Sequence, residues 1–246
     1  MTTDAFDEVF GDRERILMVF AHPDDMEINC GGLAARLVKA ERKVRLICMT
    51  AGEGGVRSRS ADLKEFSSER LTALREAAAI IGLDSADVYC LGIPDGGVED
   101  TKENIGRVVW HIRSFRPDVV ITHNPAGVVH TVDRSYFYVN HRDHRKTATL
   151  TVDAVYPFSR DHAFFPEHIA SGLHGHAVHD VLFGDAFEDE TAVKFEITAE
   201  QGRKRSALKV HMDAHAMDAA EFYSYSNEGI IGGRMFETLG WFTRIH

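Results

Sequence analysis

The chain has 246 residues, of which 44% are hydrophobic and 27% charged, and its formal net charge is −10. A chain of this length buries a sizeable core without cross-links and suits one large α/β domain or one domain with a modest appendage. The acidic balance argues against nucleic acid and against an anionic membrane surface as partners, since both call for a basic footprint, and leaves a neutral or cationic small molecule as the easier ligand.

From the amino end, MTTDAFDEVFGDRER is polar and acidic, with neither the basic start nor the apolar centre of a secretory signal, so a cytoplasmic protein is expected. RILMVFA (Arg15 to Ala21) predicts a buried strand, and GGLAARLVKAE after it a helix. KVRLICMT (Lys43 to Thr50) predicts a second strand. A glycine-rich loop separates it from LKEFSSERLTALREAAAIIG, whose apolar residues recur at helical spacing. VYCLG is a short third strand, NIGRVVWHIRSF a helix, and PDVVITH (Pro117 to His123) a fourth strand. From Asn124 to Asn140 the periodicity fails and a loop is expected; HRDHRKTATLTVDAVYPF resumes a helix. DVLFGD and AVKFEIT are later strand candidates, followed by a helix over AEQGRKRSALKVHMDAHAMDAAEFY.

Continuous apolar strands alternating with helices predict an α/β fold: a Rossmann-like, mostly parallel sheet with helices on both faces. Such sheets bind ligands beyond the carboxyl ends of their strands. No apolar run approaches the about 18 residues of a membrane span, so none is expected. Cys30, Cys48 and Cys90 are odd in number and widely spaced, and read as reduced thiols, not a disulfide framework.

AHPDDMEINCGG begins where the first strand ends, which places His22, Asp24 and Asp25 on the active rim. Carboxylates crowded this closely repel one another unless a cation or hydrogen-bond donors compensate, and a divalent metal does so most simply. The competing reading is that Asp24 or Asp25 only caps the following helix. VNHRDHRKT supplies His141, Asp143 and His144 at a loop–helix junction on the same rim. A catalytic zinc site uses three N/O ligands and keeps one position for water, a set that His22, Asp25 and His144 can provide. Asp24 is then left as a base, His141 as an electrophile or acid, and Asp143 as a partner that orients an imidazole. Against this stands a solvated, charged helix start.

AHPDDMEINCGG and NHRDH resemble the two signature motifs of the PIG-L/LmbE-like zinc-dependent de-N-acetylases, which include the GlcNAc-phosphatidylinositol, mycothiol and bacillithiol biosynthetic deacetylases. MTAGEGGVRS, ERLTALREAAAIIGL, LGIPDGGVED and RKRSALKVHMDAH are similar to further segments of that family. The resemblance implies a single domain over 1–246, with a core over about 14–158 and a variable, smaller α+β extension over about 159–246. It implies Zn2+, or another divalent ion such as Fe2+, on His22, Asp25 and His144. It assigns the general base to Asp24 and oxyanion stabilisation or leaving-group protonation to His141, with Asp143 in support. The implied substrate is a small N-acetylated amino sugar or sugar-like conjugate, and the family admits homo-oligomers. Two departures stand out. Met26 replaces a frequent Glu, leaving Glu27 as the nearby acid, and His211 is followed by MDAH where Ser-Gln is common.

Arg57, Tyr138 and His211 are carried as candidate substrate-binding residues, with Arg59 and Tyr136 beside the first two. For Arg57 and Tyr138 the plainer reading is a solvated loop arginine and a packed loop aromatic. His123 is expected to be a packed, hydrogen-bonded histidine, His111 a structural one, and the histidines from His162 to His179 part of a variable, substrate-facing insertion. Cys30-Gly31-Gly32 lacks the G-x-G-x-x-G pattern of a dinucleotide site. Two other functions fit the same sequence: a zinc amidase for a larger acyl group or thiol conjugate, and a silent binding protein of the same fold.

Overall fold

The computed structural model describes residues 4–56, 60, 62–131, 137–184, 190–215 and 226–243. The first element is a short helix the sequence reading missed, α1 (Phe6–Phe10), which buries Phe6, Val9 and Phe10 at i, i+3 and i+4. β1 (Arg15–Phe20), β2 (Lys43–Thr50), β3 (Val88–Ile93) and β4 (Val119–Thr122) are the four expected strands. Between them run α2 (Asp25–Lys39), α3 (Leu63–Ile81) and α4 (Lys102–Phe115). The segment expected to be loop contains a hairpin, β5 (Val129–Thr131) and β6 (Phe137–Val139), before α5 (Arg142–Asp153). Pro157 has no N–H to offer a helical carbonyl, and the helix expected to run to Phe158 ends at Asp153 in a wider turn over Ala154–Phe158. There follow α6 (Pro166–Ala170), β7 (Asp180–Phe183), β8 (Ala192–Glu196), α7 (Gln201–His215), β9 (Gly229–Ile231) and β10 (Arg234–Thr243).

Among the described residues the main sheet has the order β3-β2-β1-β4-β7-β10-β8, with β9 paired to β10. Strands β3 to β7 along that order are parallel; β10 runs antiparallel to both β7 and β8. The sheet is therefore mixed and mostly parallel, and the carboxyl-terminal segment, expected as a smaller α+β extension, adds β7 to β10 to it. β1 shows why the strands read as continuous apolar runs. Ile16, Met18 and Phe20 face the layer of α2 and α3, while Leu17 and Val19 face the layer of α4.

The chain order reverses between β1 and β4, the switch point at which a crevice opens beyond the strands' carboxyl ends. α2 is bent there. Cys30 leaves helical geometry (φ −152°), which frees the amides of the next turn, and the buried Glu237 carboxylate accepts from Gly32 N (2.9 Å) and Leu33 N (2.7 Å). Lys204 Nζ lies 2.7 Å from the same carboxylate, and neither side chain has exposed surface. A Cβ on Gly32 would fall 2.6 Å from Ile197 Cδ1, so a glycine is needed where α2 meets β8's end. No helix among the described residues is long and apolar enough to cross a membrane.

Candidate metal centre

The site is built by two chain reversals. β1 delivers His22 to the rim, and the turn His22-Pro23-Asp24 is closed by the His22 amide donating to Asp25 Oδ2 (2.7 Å). Asp24 takes φ 149°, a conformation costly for any residue with a Cβ. It precedes α2 but makes no side-chain cap to it, which removes the capping alternative for Asp24. The second reversal starts α5. There His141 is the cap residue, its Nδ1 accepting from the Asp143 amide (3.2 Å). That bond leaves the proton of a neutral His141 on Nε2.

His22, Asp25 and His144 converge. His22 Nδ1 lies 3.1 Å from His144 Nε2 and 3.4 Å from Asp25 Oδ2, and His144 Nε2 lies 3.2 Å from Asp25 Oδ1. Zinc bonds of about 2.0–2.2 Å make the edge of a coordination tetrahedron about 3.3–3.6 Å, so these separations suit one small cation. His141 stands next to them, its ring 4.7 Å from that of His22. His22, His141 and His144 form one potential donor group, overlapping a second made by Asp25, His123 and His144.

The far side of each donor is also held. His22 Nε2 faces Asp95 Oδ1 at 3.1 Å and Asp143 Oδ2 at 3.7 Å. Asp143 is fully buried and accepts from the amides of Gly96 (2.6 Å) and Val98 (3.3 Å), tying α5 to the loop after β3. His123, at the end of β4, is fully buried; it stacks on His144 at 4.0 Å and places Nε2 3.1 Å from Asp25 Oδ2. Asp24 Oδ2 sits 3.3 Å from Arg70 Nη1, with the Arg70 side chain 3% exposed.

Electrostatics favour a cation in this cluster. Burial opposes protonation of His22, yet Asp143, Asp25 and Asp95 overcome it and raise its pKa well above the ordinary value. Burial likewise opposes ionisation of Asp25, but the charges and hydrogen bonds of His144 and His123 hold it well below the usual carboxylate range. Asp95, against the effect of burial, is brought to about 2 by its bond to His22, the His22 charge and the Gly54 amide. Burial pushes Asp24 up, and its neighbour Asp25 adds to this against Arg70. Burial and the charge of His22 lower His141, keeping it neutral.

Arg57, Arg59 and Tyr136 lie outside the described residues. Tyr138 is in β6, in register with His130; its side chain is outside the described set. His211 is fully buried on α7 with Nε2 3.5 Å from Glu27 Oε2. Within 162–179, His176 Nε2 donates to the Pro117 carbonyl (2.7 Å) at the amino end of β4, the rim opposite the metal centre. Arg70 and Asp95 were missed as site residues, although both lie in segments that had been singled out. Only the placement of LGIPDGG after a strand could have pointed to Asp95.

The family model described as GlcNAc-PI de-N-acetylase (PIG-L) matches residues 17–155. The chain belongs to this family. It is 27% identical over 176 residues to a diacetylchitobiose deacetylase of Thermococcus kodakarensis, a match covering 72% of this chain and 61% of that protein. It is 31% identical over 165 residues to a 1D-myo-inositol 2-acetamido-2-deoxy-alpha-D-glucopyranoside deacetylase of a Mycobacterium species, covering 57% of this chain and 50% of the relative. The chain thus spans between half and about three fifths of these curated relatives. The fold is similar to that of the N,N'-diacetylchitobiose deacetylase of Pyrococcus horikoshii, with a TM-score of 0.81 at 23% identity, covering 97% of this chain and 90% of that one.

Proposed function

We propose that this PIG-L family member is a metal-dependent N-deacetylase acting on a small N-acetylated amino sugar or sugar-like conjugate. The observation that carries the reading is the convergence of the His22, Asp25 and His144 donor atoms, spaced 3.1–3.4 Å, with the Asp24 carboxylate beside them. The names of the two curated relatives, a diacetylchitobiose deacetylase and an acetamido-deoxy-glucopyranoside deacetylase, support the reaction and the substrate class. The donor set suits Zn2+ but does not select sharply against Fe2+ or similar ions.

His22, Asp25 and His144 would hold a divalent ion, which would supply Lewis acidity toward the amide carbonyl and water. Asp24 takes the proton of the attacking water, its carboxylate oriented by Arg70 and its proton affinity raised by burial. His141, neutral and carrying its proton on Nε2, donates a hydrogen bond to the oxygen that becomes negative as the tetrahedral centre forms. Asp24 then returns the proton to the departing nitrogen, giving a free amine and acetate. Asp95 and Asp143 fix the His22 ring from its other nitrogen.

The test is acetate release from N-acetylglucosamine, N,N'-diacetylchitobiose and an N-acetylglucosaminyl-inositol, with metal content measured in parallel. Asp24→Asn is expected to keep its metal and lose about 10²–10⁴-fold in kcat. A zinc-loaded protein inert on the whole panel, or an Asp24→Asn enzyme at full rate, would overturn the reading.

A further inference from the structure

Cys48 and Cys90 are direct neighbours across the ladder between β2 and β3: their Cα atoms are register partners in a parallel pair. Register partners project to the same face of a sheet, here the layer covered by α3. Both thiols reach one acceptor, the Thr50 carbonyl oxygen, at 3.1 Å from Cys48 Sγ and 3.3 Å from Cys90 Sγ. Neighbouring strands lie about 4.7–4.9 Å apart, inside the Cα–Cα window of about 4.4–6.8 Å that a disulfide spans.

The two cysteines are not equivalent. β3 is the edge strand, which leaves Cys90 partly exposed, whereas Cys48 is buried one strand further in. Hydrogen bonding from the Cys48 thiol, against burial and with help from the Gly92 amide, brings Cys90 down to about 7, with Arg75 and Glu53 exerting opposed smaller effects. Burial pushes Cys48 well above the ordinary thiol value. Just past the pair the register slips, Thr50 pairing with Ile93, and Gly92 takes φ +64°. That irregularity gives the backbone room to adjust beside the sulfurs.

We propose that Cys48 and Cys90 are a redox-active pair that closes to an intrachain disulfide on exposure to a peroxide. Cys90 is the attacking sulfur. Its thiolate bonds to one peroxide oxygen, the O–O bond breaks, and hydroxide leaves, giving a sulfenic acid on Cys90. The Cys48 sulfur then bonds to Cys90 Sγ and displaces that oxygen, which departs as water with the Cys48 proton. In sum, two thiols are oxidised by two electrons and hydrogen peroxide is reduced to two waters; a dithiol reductant reverses the change. Closure also withdraws the Cys48 thiol from the Ala21 carbonyl, 3.6 Å away and one residue before His22. The inference does not rest on the deacetylase reading.

The experiment treats the reduced, full-length protein with hydrogen peroxide, quenches with an alkylating agent, and reads intact mass and tryptic peptides. Two of the three thiols are expected to disappear, the mass to fall by about 2 Da before alkylation, and peptides 46–57 and 76–102 to appear joined, all reversed by dithiothreitol. Cys30, in peptide 16–36, remains alkylatable as an internal control. Cys90→Ser abolishes the joined peptide, and Cys48→Ser leaves a sulfenic acid on Cys90 that dimedone traps; if one variant fails to fold, the other carries the test. Oxygen uptake on Cys90 with Cys48 still alkylatable in the wild type would overturn the proposal. So would dimer-only disulfides, or three surviving thiols under conditions that oxidise glutathione fully.

Discussion

Replacing Glu237 by Leu should destabilise the fold more than any change at the surface. Its carboxylate accepts from two helix amides, Gly32 N and Leu33 N, and pairs with the Lys204 ammonium at 2.7 Å, all without exposure. Removing it strands a buried cation. Lys204 Nζ keeps two carbonyl neighbours, Ile28 O at 3.2 Å and Asn227 O at 3.3 Å, so the low end of the range for breaking a buried pair applies, about 3 kcal/mol. The two orphaned amides add about 1 kcal/mol each. The sum, about 5 kcal/mol, is a large part of a domain's total stability and corresponds to a fall in Tm of about 10–20 °C.

Urea unfolding of Glu237→Leu, Lys204→Met and the double variant forms a cycle that isolates the pair. The double variant leaves no buried charge, only the two amides unsatisfied and the carbonyls of Ile28 and Asn227 without the lysine's hydrogen bonds, so it should be more stable than Glu237→Leu alone. A Glu237→Leu protein within about 1 kcal/mol of wild type, or a double variant at the sum of the singles, would show that the charge is not what the second half of α2 is built on.

Asp95→Ala should weaken divalent-ion affinity by about 10–100-fold, read by calorimetric titration with zinc, because His22 loses the carboxylate that orients its ring; unchanged affinity would assign that role to Asp143 alone. His111 packs against Tyr89 and Trp110 with Nδ1 unpartnered among the described residues, and burial, with Arg45 and Arg107, lowers it to about 4. Between the ordinary value of 6.5 and about 4 the unfolded chain holds a proton that the native one refuses, so stability is lost as pH falls through that window, by about 3 kcal/mol in all. His111→Gln should flatten the urea-derived stability profile by about 2 kcal/mol between pH 6.5 and about 5, and an unaltered slope would contradict the assignment.

The parts legible in the sequence were those with a short period or a short span. β1 and β4 announced themselves because strands covered on both faces are apolar almost throughout, β2 and β3 because shorter apolar runs are bounded by turn signals, and His22, Asp25 and His144 because two compact motifs follow strands. The helix after β1 is expected from Gly31; a break does fall there, at Cys30, but the turn of helix before it carries Asp25. β9 and β10 were missed although Gly232-Gly233 between apolar runs is a hairpin signal; both glycines take positive φ there. Arg70 was legible only in part. It falls on the buried stripe of α3 with Phe66, Ala73, Leu74 and Ala77, where a charge calls for a partner, but the spacing does not name that partner, 46 positions earlier.

Arg70 also explains a loop that the sequence presents only as glycine-rich. Gly52 takes φ +69°, and a Cβ there would meet Arg70 Nη2 at 2.5 Å. The glycine therefore lets the backbone close over the guanidinium, and the guanidinium reaches Asp24, held in a backbone conformation that only surrounding structure can maintain. A carboxylate strained in this way has its pKa raised by burial and by Asp25, while the paired Arg70 cation opposes that rise. A residue that accepts a proton gains from that raised affinity, whereas a mere helix cap does not need it. Asp24 lacks the cap hydrogen bond and has the raised affinity.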